Sequence, residues 1–416
     1  GGAVTLGTGG REATGMAGAR DAGGRTIPRG VVVLGLVSLF TDLGSEMVHS
    51  LLPVFMVGTL GASALLVGLV DGLAEALALA TKVFSGWISD AVGRRKPLVL
   101  LGYGLAAATK PLFPLAGSVA WVLGARLLDR LGKGIRGAPR DALVADITPP
   151  QLRGAAYGLR QSMDTLGAVL GPLAAVGLML AFAGDVRTVL WFAVLPGVVA
   201  VALIVFLVRE PEGGAASARP RPPLSREALA RLGEDFWRIA AVGALLALAR
   251  GSEAFLVLRA SSLGVDDAWV PLVMVGMSLA YTVVAWPAGR WADQADRRLV
   301  LAAGLALLCG ADLVLALADG RGALALGVVL WGAHMGLTQG VFSALVADAA
   351  PGPLRATAFG MFHLLSGVAI LAAGMAAGLA MDRYGAPAPF WIGAALAALA
   401  LPLVALLPAR GSRTGG

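Results

Sequence analysis

The sequence predicts an all-α membrane protein: twelve transmembrane helices in two pseudo-symmetric six-helix bundles. Three observations predict it. First, 57% of the 416 residues are hydrophobic and only 14% are charged, with a mean hydropathy of +0.79. A soluble domain carries about 25% charged residues, and a chain this size could not bury so much apolar surface from water. Second, the apolar residues fall into twelve runs, each near the ~20 residues that cross a bilayer. Third, motifs in the first six runs return in the last six.

The runs lie at about 31–56, 63–89, 97–117, 119–147, 154–182, 188–208, 238–258, 269–290, 299–318, 322–347, 357–380 and 388–408. Lysine and arginine set their orientation. The loop after the second run carries Arg94, Arg95 and Lys96, the loop after the eighth carries Arg297 and Arg298, and the tail carries Arg410 and Arg413. The stretch between the sixth and seventh carries Arg209, Arg219, Arg221, Arg226 and Arg231. The opposite loops hold only Arg187, Arg259, Arg321 and Arg383. Both termini and the central loop are therefore expected in the cytoplasm, and the chain in a bacterial inner membrane. Residues 1–29 are Gly-, Ala- and Arg-rich without an apolar core, so a disordered cytoplasmic tail is expected rather than a signal peptide. A bundle at 30–208, a Pro-rich linker at 209–236, a second bundle at 237–408 and a tail at 409–416 follow.

The repeat is explicit. Ala142–Gly158 reads ALVADITPPQLRGAAYG and Ala344–Gly360 reads ALVADAAPGPLRATAFG. Gly44-Ser45-Glu46 returns as Gly251-Ser252-Glu253, and the Gly86 and Asp90 pair as Gly289 and Asp293. Asp146 and Asp348 occupy the same place in the long repeat.

The loop after the second run reads Gly86-Trp-Ile-Ser-Asp90-Ala-Val-Gly93-Arg94-Arg95-Lys96. Gly86 permits close helix packing, Gly93 a tight turn, and Asp90 sits at a helix end where it can meet a helix N-terminus. The second copy, Gly289 to Arg298, has Asp296 where the first has Gly93. This loop resembles the signature of the major facilitator superfamily at every defined position. The resemblance covers about residues 30–408. It implies a secondary transporter in which two halves rock about a site near mid-membrane. It also implies that the loop gates the conformational change, with Arg94 reaching Asp146 in the outward-facing state and Asp293, Arg297 and Asp348 as second-half counterparts.

The fourth run must cross lipid while carrying Arg126, Asp129, Arg130, Lys133, Arg136, Arg140 and Asp141. The cations recur at steps of three and four and share a face. An ionisable residue at the bilayer centre costs about 2.5–3.5 kcal/mol on the mildest scale, so the stripe must face protein or a water-filled cavity. Arg136 and Arg140 lie near the cytoplasmic interface and could also snorkel to it. Arg130 and Gly134 resemble the fourth-helix motif of drug/proton antiporters, with Lys133 in place of glutamine. The fifth run, with Gly158, Gly167, Gly171 and Pro172, resembles those antiporters' fifth-helix motif, except that Ala175 and Val176 replace its final glycines. Ordinary small-residue packing would also produce such a run. The first run carries Asp42, Glu46 and His49 on one face. They are candidates for substrate or proton binding, or else a fixed ion-pair network holding that helix to the fourth. Arg250 and Glu253 in the seventh run, with His334 and Gln339 in the tenth, are the second-half candidates. The resemblance implies that the first, fourth, seventh and tenth helices line the cavity.

The basic balance, +7 at neutral pH, sits in short loops between apolar runs, so nucleic acid is not an expected partner. No nucleophile triad, phosphate loop or metal cluster appears, and Cys309 has no disulfide partner in the chain. The expectation is a non-enzymatic, cofactor-free, monomeric transporter of a small solute. It would be driven by the proton gradient and export a small, negatively charged compound or a drug. An importer of a metabolite or siderophore in the same fold, and a non-transporting membrane sensor, are the alternatives.

Overall fold

A computed structural model describes residues 26–92, 94–210, 224, 226–350 and 354–408. Among them every long regular element is helical. The first half comprises α1 (Arg29–Val54), α2 (Ala64–Val92), α3 (Lys96–Thr109), α4 (Val119–Asp146), α5 (Arg153–Ala181), α6 (Val186–Phe192) and α7 (Val194–Leu207). A short helix, α8 (Arg226–Ala230), precedes the second half. That half comprises α9 (Glu234–Arg250), α10 (Ala254–Ser262), α11 (Leu272–Gln294), α12 (Arg297–Leu317), α13 (Arg321–Ala349), α14 (Arg355–Tyr384) and α15 (Ala388–Leu403).

Among the described residues ten spans are long and apolar enough to cross a membrane, counting α6 with α7 and α9 with α10 as single spans. The two others are α3, a short helix extended by a 3-10 turn to Leu112, and α4, whose charges lower its hydropathy. With them the described residues hold twelve helical segments in the place of spans. Lipid is the solvent for their outer faces, where side chains such as Phe206, Val283, Trp286 and Val368 stand exposed. α9 begins inside the expected linker at 209–236. The acidic first turn of Glu234 and Asp235 favours a helix N-terminus after Gly233, so α9 starts there. Most of the linker, and the tails at 1–25 and 409–416, lie outside the described residues.

Within the halves, α1 packs on α5 and α7, and α4 lies between α2 and α3; in the second half α13 lies between α11 and α12. The halves meet through α2 on α14 and α5 on α11. Gly68 and Gly374 face each other there so closely that a Cβ on either would strike the other's backbone. At the end of the bundle away from the linker, the Asp382 carboxylate accepts the Ala64 and Leu65 N–H groups at 2.8 and 2.9 Å. One half thus caps a helix N-terminus of the other. Three of the four arginines at this far end serve carbonyls. Arg259 donates to Leu315, Ala316 and Ala318, Arg187 to Pro114 and Ala116, and Arg321 to Gly264.

Candidate functional site: a charged cavity between the halves

The charged stripe of α4 divides into two groups. Its far-end members are consumed by partners inside the first half. Arg126 donates to Asp71 of α2 at 2.9 Å, Arg130 pairs with Glu75 one turn further along α2 at 3.0 Å, and Asp129 accepts from Lys110 at 2.8 Å. Arg126 is 1% and Arg130 3% exposed. Buried charges persist only when paired in this way. Asp129, Arg126 and Arg130 thus do not line the cavity where the sequence reading put them. They join α4 to α2 and to the end of α3.

The linker-end members face open space. A cavity of about 310 Å³ is lined by Asp42 and Glu46 of α1, Lys82 of α2, Lys133, Arg136 and Arg140 of α4, Asp164 of α5, and Ser278 and Tyr281 of α11. Both halves therefore contribute to it. Lys133 is exposed in mid-helix, which only a solvated cavity allows. Neither Lys82 nor Lys133 nor Asp42 makes an ion pair among the described residues. Arg136 lies over the Tyr103 ring at 4.6 Å, a cation–π contact. Arg140 bonds to Asp141 at 3.0 Å, and Arg160 pairs with Asp164. Neither Arg136 nor Arg140 reaches the interface freely, since both are held inside.

The glycines of α5 bring the α1 carboxylates to this cavity. A Cβ on Gly167 would meet the Leu39 carbonyl oxygen, and one on Gly171 that of Leu43, each at 2.6 Å. The same hypothetical atoms would come within 3.1 Å of the Cβ atoms of Asp42 and Glu46. The small-residue face lets α5 lie against α1 under the two acids. Pro172 is buried beside it, while Gly158 faces open space. Gly134 packs on Thr81 and Ala78 of α2.

Other expected residues lie elsewhere. His49 is buried, with Nδ1 3.3 Å from Glu46 Oε2. Arg250 lines a separate cavity of about 110 Å³ with Ser252 and Asp312. Glu253 sits in the break between α9 and α10. His334 is fully buried against Trp331, and Gln339 is half-buried on the same helix. The seventh and tenth spans therefore do not line the 310 Å³ cavity; α2, α5 and α11 do, because α11 packs on α5 where α9 and α13 do not reach.

At the gating loop the structure corrects one expectation. Arg95, rather than Arg94, reaches Asp146, at 2.8 Å. Its backbone N–H also donates to Glu210 and its guanidinium to Ser89, and Lys96 donates to the Val208 carbonyl. In the second half Arg297 pairs with Asp348. The two pairs have the same separation of 51 residues. Matching the glycines Gly86 and Gly289 sets Arg94 against Arg297, so the pairing in the first loop is shifted by one residue. Gly86 packs on Ala138 of α4; Gly289 and Asp293 are exposed at the end of α11. Gly93 and the side chain of Asp90 lie outside the described residues.

Sequence reading missed Asp71, Glu75 and Lys82 as a set. They stand at i, i+4 and i+11 on α2, one face of a helix, and oppose the cations of α4 at matching heights. That spacing was the available signal.

Two helical halves around a charged, solvated cavity form the architecture of a membrane solute transporter. The chain belongs to the Major Facilitator Superfamily, whose profile matches residues 34–258 and 239–415. It is 29% identical over 360 residues to an uncharacterized MFS-type transporter of Methanocaldococcus jannaschii, covering 85% of this chain and 89% of that one. It is 38% identical to the multidrug resistance protein MdtH of Edwardsiella ictaluri, over 33% of this chain and 34% of that protein. Its fold is that of the nucleoside transporter NupG, at TM-score 0.77 and 14% identity, covering 91% of this chain and all of the other.

Proposed function

We propose that this transporter exports a small anionic solute in exchange for protons, through the cavity between its halves. The observation that carries the reading is the cavity's pair of lysines. Lys82 and Lys133 face open space without a carboxylate partner among the described residues, while the other cations nearby are engaged. A carboxylate or similar anion would complete them with charge-assisted hydrogen bonds, each contributing about 1.5–3 kcal/mol. Asp42 and Glu46, on the same wall, are the proton carriers. Solute on the lysines and protons on the carboxylates would share one small cavity, so each would change the affinity for the other. The partial likeness to a multidrug resistance protein and the α5 glycine pattern support the export direction. The basic loops at the linker end support a reading in which that end, with both termini, faces the cytoplasm of a bacterial inner membrane.

The test is thermal stabilisation of the purified protein by a panel of citrate, salicylate, a carboxylate chelator and the cationic drug ethidium. At least one anion is expected to stabilise it, and Lys82→Gln and Lys133→Gln are each expected to weaken its apparent affinity roughly tenfold. Stabilisation by ethidium alone, or by an anion whose affinity ignores both lysines, contradicts the reading.

A further inference from the structure

The seventh span is broken where the first is continuous. Gly251, with φ 63°, ends α9 in a conformation other residues rarely adopt, and α10 resumes at Ala254. Ser252 lies in the break. Its Oγ accepts the Ala254 N–H at 3.1 Å and donates to Asp71 Oδ2 at 2.5 Å. This bond crosses between the halves, inside the protein, where Asp71 and Ser252 are 9% and 7% exposed. In the first half the repeat partner of Ser252, Ser45, meets Lys110 instead.

Asp71 stands at the end of a chain of polar groups that begins in the cavity. Glu46 lines the cavity. His49 Nδ1 lies 3.3 Å from Glu46 Oε2. His49 Nε2 is buried, has no hydrogen-bond partner among the described residues, and lies 3.7 Å from Asp71 Oδ1. That gap adjoins a cavity of about 10 Å³ lined by His49, Asp71 and Ala254, close to the space one water needs, with two polar partners on hand. Other charges face the chain. Arg126 and Arg130 of α4 and Glu75 of α2 lie about Asp71, and Glu253 of the break lies near His49, Glu46 and Arg250.

We propose that Asp71 and Ser252 form a latch holding the halves together, and that His49 relays a proton from Glu46 to Asp71 to release it. The proposal rests on the proton-exchange reading above. Protonated Glu46 gives its proton to His49 Nδ1, while the Nε2 proton passes through one water to Asp71 Oδ1. Glu46 becomes a carboxylate, Asp71 a carboxylic acid, and His49 ends neutral in its other tautomer. Neutral Asp71 accepts the Ser252 hydrogen bond about half as strongly as the carboxylate does. Arg126 then loses its counter-charge, and a buried cation without one favours opening to water. The carboxyl that closes the far end is thereby set by the proton load of the cavity.

The experiment needs no solute. Spin labels at Thr59→Cys and Asp267→Cys, exposed at the far ends of the two halves, are placed in a Cys309→Ser background. Their distance is measured by pulsed spin resonance across pH. The parent is expected to gain a longer-distance, open population as pH falls. Ser252→Ala should raise the ratio of open to closed roughly tenfold at high pH, and Ser252→Thr, which keeps the hydroxyl, should restore it. His49→Gln should stay latched and lose the pH response. An unchanged ratio in Ser252→Ala overturns the latch, and an unchanged pH profile in His49→Gln overturns the relay. Proton exchange in liposomes with unshifted Ser252→Ala distances would retain the carrier and reject the latch. A pH-driven, Ser252-dependent opening without exchange for any solute would retain the latch and reject the carrier reading.

Discussion

Replacing Lys110 with methionine separates structural charge from transport charge. Lys110 Nζ lies 2.8 Å from Asp129 Oδ1 and 3.0 Å from Ser45 Oγ. The two ionic side chains are 2% and 5% exposed. At an effective dielectric of about 20, unit charges this far apart attract by about 6 kcal/mol. Desolvation of both ions offsets much of that, so the intact pair contributes little net stability. Removing one partner is different, because the other stays buried and uncompensated at a cost of about 3–5 kcal/mol. Taking about 2 °C per kcal/mol for a large chain, Lys110→Met should lower the apparent Tm by roughly 6–10 °C. Adding Asp129→Leu should return most of the loss, since an apolar pair of similar volume is commonly neutral or better. Tryptophan-fluorescence melts of the parent, both single variants and the double variant form the required cycle. A double variant that falls as far as the two singles added together would refute the reasoning. Asp129 would then be acting independently of Lys110 and would return to the list of transport residues.

Gly167→Leu should push α5 off α1 at the Leu39 carbonyl and displace Asp42, abolishing solute transport measured in membrane vesicles while the full-length protein still inserts. Arg95→Ala should slow transport with a change in apparent Tm of no more than a few degrees, because a partly exposed pair contributes about 0.2–1 kcal/mol. The exchange Arg95→Asp with Asp146→Arg should recover transport, whereas Arg94→Ala should leave it near the parent rate.

Much of the fold is legible in the sequence because lipid imposes a simple rule: every span is an apolar run of fixed length. The exceptions are informative. α3 is shorter than a typical span and ends in a 3-10 turn at Lys110, whose partner, Asp129, lies on the next helix. The break in the seventh span rests on Gly251, which looks like its repeat partner Gly44 in sequence but has the opposite sign of φ. The site is only half legible. The α4 stripe correctly announces that its face avoids lipid, but a stripe cannot say where a cavity stops. That depends on which residues of α2 stand opposite, and Asp71 and Glu75 neutralise the far-end arginines while Lys82 leaves the linker end cationic. Asp42 and Glu46 are readable from their spacing; that they share a cavity with Tyr281 of α11 is a fact of inter-half packing alone.

The central claim is that protons carried by the α1 carboxylates are coupled to solute in the inter-half cavity. The most direct measurement reconstitutes the protein in liposomes holding a pH-sensitive dye and follows proton flux on adding each compound of the binding panel. A solute-dependent flux that disappears in both Asp42→Asn and Glu46→Gln is the predicted result. A flux that persists unchanged in both variants would contradict the account and make the α1 carboxylates structural.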